Sequence, residues 1–238
     1  IDYVALGITH LAKKLTKLIP YVFRFFHEVN TIANHMKSAN YDLIHASGGV
    51  WQVKGVLAAN KAKIPVVWHL NDTSMPGFII RIFQKYFAKR PDAYIVAGKA
   101  VEEFYLKIAD LHQPIFEIQA PVDVERYNSK QVHPYNEITN ENKLTIGSIS
   151  TINPRKGIDY FIKAAVILNK KYDNLVFHIV GPVYNTQKEF KAYLDKLITD
   201  NNISNITFHG LKKEVENVLK SIDIYVCASL SEASPMSV

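Results

Sequence analysis

A loop rich in small residues carries two adjacent cations. Residues 148–157 (SISTINPRKG) follow a predicted strand and lead into a predicted helix. Asn153 and Pro154 are typical of a turn and helix cap, and Gly157 permits close approach of the backbone to a ligand. The helix start offers free N–H groups and the positive end of a dipole, and Lys156 adds a point charge. These features predict a phosphate site. The loop matches neither Gly-x-Gly-x-x-Gly nor a P-loop, so no NAD or ATPase site is indicated.

Three further loops follow predicted strands in the carboxyl-terminal half. Gly181 ends one strand, where glycine serves a turn as readily as a ligand. His209 and Gly210 end the next. The last loop, residues 229–237 (SLSEASPMS), places Glu232 among small residues, so its carboxylate could accept hydrogen bonds from sugar hydroxyls while backbone N–H groups bind phosphates. Ligands of open α/β sheets bind beyond the carboxyl ends of the strands, and these loops predict a site there.

Two polar clusters follow strands in the amino-terminal half, at residues 45–49 (HASGG) and 68–73 (WHLNDT). His69 and Asp72 could supply hydrogen bonds or a proton. A lone histidine is more often a satisfied polar residue, but two clusters at adjacent strand ends favour an acceptor site. The nine histidines show no His-x-x-x-His spacing, and the single cysteine, Cys227, excludes an internal disulfide and a Cys-based zinc site. No metal site is predicted, and Cys227 is expected to be buried.

The elements that must position these loops alternate between strands and helices. Strands are predicted at residues 41–46, 64–70, 93–97, 114–119, 143–149, 175–180, 206–208 and 222–228, with helices at 49–61, 78–89, 99–109, 156–171, 186–201 and 212–220. Uninterrupted apolar strands joined by helices predict parallel sheets covered on both faces. A polar stretch at residues 123–142 interrupts the alternation and predicts a linker. We therefore expect an α/β protein of two Rossmann-like lobes, residues 1–122 and 143–238, with a cleft between them.

The segment before the first strand has a different pattern. Residues 11–36 are mostly helical in pattern, with a break predicted near Pro20, and they mix Lys13, Lys14, Lys17 and Arg24 with apolar residues. A basic amphipathic surface for anionic lipid headgroups is one interpretation. A helix packed on the sheet with an exposed polar face is the other, and we favour it because apolar stripes at helical spacing usually face a core.

Composition narrows the class of protein. Hydrophobic residues make up 48% and charged residues 21% of 238 residues, which excludes a disordered, collagen-like or coiled-coil chain. The longest apolar runs are far shorter than the roughly 20 residues of a membrane span. The net charge of +6 suits an anionic partner, but no nucleic-acid-binding motif accompanies it. A cytoplasmic protein, with peripheral contact to the inner face of the membrane left open, is the expectation.

The motifs of the carboxyl-terminal half agree in order and spacing with one known family. They are, along the chain, Ile146-Gly147, Pro154-Arg155-Lys156-Gly157, Val180-Gly181, residues 205–210 (NITFHG), Ser221-Ile222-Asp223 and residues 229–235 (SLSEASP). They resemble the nucleotide-sugar-binding half of the family 4 retaining glycosyltransferases of the GT-B fold. The amino-terminal half resembles the family more weakly, through residues 42–46 (DLIHA), 64–67 (IPVV) and 121–123 (PVD).

The resemblance implies transfer of a hexosyl unit from a sugar nucleotide to a glycan or lipid-linked acceptor, with retention of configuration and without a metal or other cofactor. The acceptor would be an intermediate in the assembly of a surface polysaccharide or a glycolipid. The candidate catalytic residues are Glu232, which would meet the donor sugar, and His69 and Asn71, near the position of the family's active-site histidine. The candidate donor-binding residues are Ser148, Ser150, Arg155, Lys156, Gly157, Gly181, His209, Gly210, Ser234, Pro235, Met236 and Ser237. The candidate acceptor-side residues are His45, Ser47, Gly48, Gly49 and Asp72.

Some positions depart from the family's pattern. Ser148 and Ser150 stand where an arginine is usual, so Arg155 would have to supply a second cation, and Asn71 replaces the histidine that often precedes the aspartate. The family's second glutamate would lie beyond residue 238 and its first strand ahead of residue 1, so we expect both lobes to be incomplete. A non-catalytic or inactive sugar-nucleotide-binding fragment therefore stays an alternative. A non-hydrolysing sugar-nucleotide epimerase is another, although its acid and base residues are not found.

Overall fold

The chain forms two compact units, each built on its own parallel sheet. The computed structural model describes residues 5–6, 15–73 and 75–232, with the backbone alone for residues 15–20. The units are Ile1–Ala120 and Pro121–Val238. Each described sheet has four strands, and every strand pairing is parallel. The predicted α/β class with two parallel sheets is confirmed.

The first unit alternates strands with helices as expected. Its elements are α1 (Leu15–Ser38), β1 (Ile44–Ser47), a 3₁₀ turn (Gly49–Gln52), α2 (Val53–Ala62), β2 (Val66–Leu70), α3 (Gly77–Ile82) with a π-helical turn (Phe83–Phe87), β3 (Ala93–Val96), α4 (Lys99–Ile108) and β4 (Ile115–Glu117). The sheet order is β1-β2-β3-β4. Trp68 on β2 is fully buried, with its ring centroid 5.6 Å from that of Phe83 and 6.3 Å from that of Tyr94.

Helix α1 packs on α2 through a buried ion pair. Lys54 Nζ lies 2.5 Å from Glu28 Oε2, both side chains are almost fully buried, and the same Nζ lies 3.9 Å from the centroid of the Tyr21 ring. Burial, together with the charge of Glu28, raises the pKa of Tyr21. The break predicted near Pro20 was wrong, because α1 continues through that residue. The exposed face is mixed rather than purely polar, since it carries Phe23 and Phe26 beside Arg24.

The second unit repeats the alternation of strand and helix. Its elements are β5 (Leu144–Ile149), a 3₁₀ turn (Pro154–Lys156), α5 (Ile158–Leu168), β6 (Leu175–Val180), a 3₁₀ turn (Asn185–Gln187), α6 (Lys188–Asp200), β7 (Ile206–Gly210), α7 (Val215–Lys220) and β8 (Ile224–Tyr225). The sheet order is β7-β6-β5-β8. Cys227, which follows β8, is exposed, so the expectation that it is buried was wrong.

Both faces of the second sheet are covered. Alternate residues of a strand point to opposite faces, and on β6 Phe177 and Ile179 belong to the core under α5 and α6, whereas Val180 packs with Ile138 and Val218. Ile138 is buried although it lies in the stretch predicted to be a linker. That stretch, residues 123–142, has no regular helix or strand, but it packs on the second unit, where Tyr135 N–H donates to Ser221 Oγ at 2.7 Å.

Two glycines allow the loops of the second unit to approach one another. A Cβ at Gly157 would lie 1.9 Å from the carbonyl oxygen of Ala228, and one at Gly181 would lie 1.8 Å from that of Ser150. Both glycines have positive φ, 64° and 149°, a region that other residues rarely adopt. A side chain at either position would therefore force the loops apart.

Among the described residues, no helix is both long enough and apolar enough to cross a membrane.

Gly157 and Gly210 form a matched pair for testing this close approach. Their φ values are similar, 64° and 67°, but a Cβ at Gly210 would meet nothing within 4 Å. We expect Gly210→Ala to lower the free energy of unfolding by about 1 kcal/mol through backbone strain alone. Gly157→Ala should cost at least about 3 kcal/mol, because the clash adds to the strain. Urea denaturation followed by circular dichroism measures both, and equal losses would contradict the packing argument.

Candidate functional site

The loops of the second unit meet at the carboxyl edge of its sheet. Because all four strands are parallel, the segments after β5, β6, β7 and β8 leave the sheet at one edge. Ser150 N–H donates to the carbonyl of Val180 at 2.9 Å, and Gly181 N–H donates to that of Gly210 at 2.8 Å. Three of the predicted donor-binding residues, Ser150, Gly181 and Gly210, are therefore brought together by backbone contacts.

The loop after β5 also contacts the loop after β8. Lys156 Nζ lies 2.5 Å from Glu232 Oε1, and the two side chains are 29% and 24% exposed. Leu230 N–H donates to the carbonyl of Arg155 at 2.8 Å, which ties the backbones of the two loops together. A cation and a carboxylate separated by 76 residues in sequence thus share one site.

Glu232 is held in its ionised form. Its partial burial would raise the pKa of the carboxyl, but hydrogen bonds from Lys156 and Ser229 and the charges of Lys156 and Arg155 outweigh burial and lower that pKa below its usual value. The site at neutral pH therefore contains a carboxylate directly opposed to an ammonium group. Ser229 was not singled out from the sequence, where a serine in a loop of small residues gives no specific signal.

The start of α5 is arranged by the residues before it. Asn153 Oδ1 accepts a hydrogen bond from Arg155 N–H at 3.0 Å, so Asn153 caps the 3₁₀ turn, as its position predicted. Gly157 then precedes α5, and no side chain in the part of the chain that the structure describes caps this helix. Lys156 thus stands immediately before the positive end of the α5 dipole. This combination suits an anion more than it suits a second cation.

Two predicted serines of the second unit differ in what they can contact. Ser148 lies inside β5 and is only 2% exposed, so its side chain is not available at the loop surface. Ser150 follows β5, and its buried Oγ has no hydrogen-bond partner among the described residues. Ser150 is therefore the better placed of the two for ligand contact. The predicted residues Ser234, Pro235, Met236 and Ser237 lie outside the described residues.

His209 is engaged with a second histidine. Its Nε2 lies 2.7 Å from Nδ1 of His178 on the neighbouring strand. Burial, with a smaller contribution from His209, lowers the pKa of His178 to about 4. Burial lowers the pKa of His209 as well, and the nearby Glu137 and Lys212 act in opposite directions on it. Both rings are therefore neutral at pH 7, and His178 was missed because a buried strand gives a histidine no functional signal.

In the first unit, the two predicted polar clusters come together. The rings of His45 and His69 stack with centroids 5.4 Å apart, and Ser47 is the register partner of His69. A Cβ at Gly49 would lie 3.3 Å from the Asp72 Cβ and 3.6 Å from Asn71 Oδ1.

Gly48 begins the turn before Gly49, with φ 127°. The acceptor-side candidates His45, Ser47, Gly48, Gly49 and Asp72 therefore form one cluster with the catalytic candidates His69 and Asn71.

Three aromatic side chains position this cluster, and only Trp68 lies in a stretch that the sequence singled out. Trp68 Nε1 donates to the carbonyl of Gly49 at 2.8 Å, and Tyr105 Oη donates to that of Asp72 at 2.8 Å. Trp51 Nε1 lies 3.4 Å from Asp72 Oδ2. Trp68 and Tyr105 are fully buried, Trp51 is partly exposed, and the polar atom of each ring contacts a loop of the cluster. The Tyr105 contact joins residues 33 positions apart, which sequence spacing cannot reveal.

His69 is the most distinctive titratable group of this cluster. Both of its ring nitrogens are buried without a hydrogen-bond partner among the described residues. Burial, with a smaller effect of His45, lowers the pKa of His69. A neutral imidazole has one donor and one acceptor nitrogen, so it can donate a hydrogen bond to a hydroxyl group or accept one from it.

The described residues contain no group of three or more His, Cys, Asp or Glu side chains that could hold a metal ion.

Family models match the chain in two consecutive parts. The model described as Glycosyltransferase Family 4 matches residues 3–126, and the model described as Glycosyl transferases group 1 matches residues 130–238. The boundary between the two matches lies in the stretch that separates the two predicted lobes. No curated protein matches the chain.

Solved structures share the fold at low sequence identity. Anabaena Alr3699/HepE, in complex with UDP and glucose, matches with a TM-score of 0.73 at 19% identity, over 85% of this chain and 57% of its own. A glycosyltransferase from Rickettsia africae matches with a TM-score of 0.74 at 16% identity, over 94% and 59%. A mutant of S. aureus TarM, in complex with Fondaparinux, alpha-GlcNAc-glycerol and UDP, matches with a TM-score of 0.67 at 19% identity, over 88% and 42%. The chain thus spans less than two thirds of these relatives' length, and its fold is GT-B.

The histidine pair predicts loss of stability in mild acid. The unfolded chain protonates His178 near pH 6.5, whereas the folded chain does so only near its pKa of about 4. The contribution of neutral His178 to the free energy of unfolding is therefore present above pH 6.5 and is lost as the pH falls below that value. We expect the free energy of unfolding to drop by about 2 kcal/mol from this group between pH 7 and 5.

Urea denaturation at these two pH values measures the loss. His178→Gln and His209→Gln should both reduce the pH dependence, whereas His112→Gln, at an exposed side chain, should leave it unchanged. An unaltered pH dependence in both strand variants would contradict the assignment.

Proposed function

Since the chain belongs to the glycosyltransferase family whose model matches more than half of it, we propose that it transfers a hexosyl unit from a nucleotide-sugar donor to a glycan or lipid-linked acceptor, with retention of configuration. The observation that carries the proposal is the contact of Lys156 with Glu232 at the carboxyl edge of the second sheet. Donor recognition needs a cation for the diphosphate and an acceptor group for the sugar hydroxyls, and this contact joins one of each.

The second unit would act on the donor. Lys156, with Arg155 beside it and the start of α5 behind it, would bind the diphosphate and stabilise the charge that develops as the diphosphate departs. Glu232, ionised at neutral pH, would accept hydrogen bonds from hydroxyls of the transferred sugar. Positioning and leaving-group stabilisation supply the rate enhancement in this proposal. The protein's own cations provide the positive charge, so no metal is part of it.

The first unit would bind the acceptor. His69 is neutral at pH 7 and has two unpartnered ring nitrogens among the described residues, and Asn71 and Asp72 add an amide and a carboxylate. Such a set matches the hydroxyl groups of a glycan, which both donate and accept hydrogen bonds. Trp68 and Tyr105 hold the loops that carry these groups, so the arrangement exists before any acceptor arrives.

A second proposal concerns the membrane and rests on the exposed face of α1. Phe23 and Phe26 are 83% and 75% exposed, Val22 is 59% exposed, and Arg24 lies between them. Aromatic side chains beside cations are typical of helices that lie at the surface of an anionic bilayer. We propose that this face brings the protein to membranes where a lipid-linked acceptor would be found.

Lys156→Gln tests the donor site. Removing the cation from the diphosphate should weaken the binding of a nucleotide or nucleotide-hexose at least about tenfold, as expected for a charge-assisted hydrogen bond. Isothermal titration of UDP, GDP, ADP and their hexose conjugates measures the affinities, and release of nucleotide measures turnover. Lys163→Gln is the matched control, because Lys163 pairs with Asp159 on α5. If the wild-type chain binds none of these compounds, or if Lys156→Gln binds equally well, the donor assignment fails.

Vesicle binding tests the membrane proposal. Phe23→Ser combined with Phe26→Ser should reduce co-sedimentation with vesicles of 30% phosphatidylglycerol and 70% phosphatidylcholine at least about fivefold, since the apolar area available to the bilayer is lost. Pure phosphatidylcholine vesicles should bind the wild-type chain less. Tyr172→Ser, at an exposed aromatic of the second unit, is the control. Equal sedimentation of the wild type and the double variant would contradict the proposal.

A further inference from the structure

Lys156 and Glu232 neutralise each other in the chain without ligand. The ammonium and carboxylate groups are 2.5 Å apart, and Ser229 adds a hydrogen bond to the carboxylate. The proposed function requires the same ammonium group to bind a diphosphate. Any anion that enters the site must therefore compete with a carboxylate that is already there.

The contact differs from the ion pairs on the surface of the same unit. The Lys156 and Glu232 side chains are 29% and 24% exposed, whereas those of Lys196 and Asp200 are 74% and 53% exposed. Interactions between partly buried charges are screened less by water and salt. The competition at Lys156 is consequently stronger than at an ordinary surface pair.

The backbone also keeps Glu232 close to the site. Leu230 N–H donates to the carbonyl of Arg155, and Gly157 packs so closely on Ala228 that a Cβ would lie 1.9 Å from its carbonyl oxygen. The loop that carries Glu232 is thus anchored to the loop that carries Lys156. When a ligand takes the ammonium group, the carboxylate can rotate away but its backbone stays beside the ligand.

Two ligands of the same site would meet this carboxylate differently. In a nucleotide-sugar, the outer phosphate is esterified, carries a single negative charge, and presents sugar hydroxyls that can donate to the carboxylate. In a free nucleoside diphosphate, the outer phosphate is a terminal group with up to two negative charges and no hydroxyl-bearing sugar. A carboxylate repels the charge of a nearby phosphate and attracts the hydroxyl donors of a sugar.

We propose that Glu232 is a specificity-determining residue that favours the nucleotide-sugar over the free nucleoside diphosphate left after transfer. Its carboxylate competes with the diphosphate of either ligand for Lys156. It repels the more highly charged terminal phosphate of the free diphosphate, but accepts hydrogen bonds from the sugar of the nucleotide-sugar. The proposal rests on the proposed function and adds to it a means of limiting inhibition by product. If Glu232 only held the two loops together, replacing it would change the affinities for both ligands in the same direction.

Glu232→Gln separates these possibilities, because glutamine keeps the size and a hydrogen-bond acceptor but removes the charge. Isothermal titration of UDP, GDP and ADP first selects the nucleotide that the wild type binds most tightly, and its hexose conjugate is then compared with it. We expect Glu232→Gln to bind the free diphosphate about fivefold more tightly and the conjugate about fivefold more weakly than the wild type. Glu232→Asp, which keeps the charge, should not tighten binding of the free diphosphate.

Asp195→Asn is the matched control, since it removes the carboxylate of another lysine–carboxylate pair of the same unit, Lys191–Asp195. It should leave both affinities unchanged. Unchanged or weakened binding of the free diphosphate by Glu232→Gln overturns the inference, and equal weakening of both ligands does so in favour of a structural clamp. If the wild-type chain binds none of the nucleotides, the proposed function is overturned as well. If the wild type binds them but Glu232→Gln changes neither affinity, the inference alone is overturned.

Discussion

Close backbone approach at glycine is the constraint on which the second unit depends. Gly157 and Gly181 occupy backbone conformations with positive φ and leave no space for a Cβ against Ala228 and Ser150. These contacts draw the loops after β5, β6 and β8 together beyond the edge of the sheet. Only because the loops are so close can Lys156 reach Glu232, and the whole donor-site proposal follows from that contact.

The first unit positions its polar groups by another device. Trp68 and Tyr105 are fully buried aromatic side chains, yet each donates a hydrogen bond to a loop carbonyl. The same two side chains therefore pack in the apolar core and hold the loops of the polar cluster in place. A buried carbonyl without such a partner would be costly, so these bonds fix the loops as well as satisfying them.

Several sequence predictions failed or fell short for identifiable reasons. The helix of residues 11–36 was expected to break near Pro20, but α1 continues through it, and its exposed face carries phenylalanines as well as polar side chains. The polar stretch of residues 123–142 has no regular structure, as composition predicts, yet it buries Ile138 against the second unit. At Pro20 the helix runs against local propensity, which is a weak determinant of helix bounds. In residues 123–142 local propensity holds, but the burial of Ile138 depends on residues distant in sequence, which periodicity does not encode.

The sequence alone determined the order of strands and helices and the parallel α/β class, because burial on both faces imposes uninterrupted apolar strands. It also identified the loops of the candidate site and the residue types that suit a phosphate and a sugar, since these follow from local chemistry. Only the tertiary structure decided which of those residues meet. The Lys156–Glu232 contact, the His178–His209 pair and the Tyr105 hydrogen bond each join residues more than 30 positions apart. Such distances are set by strand order and loop packing, so no spacing along the chain could fix them.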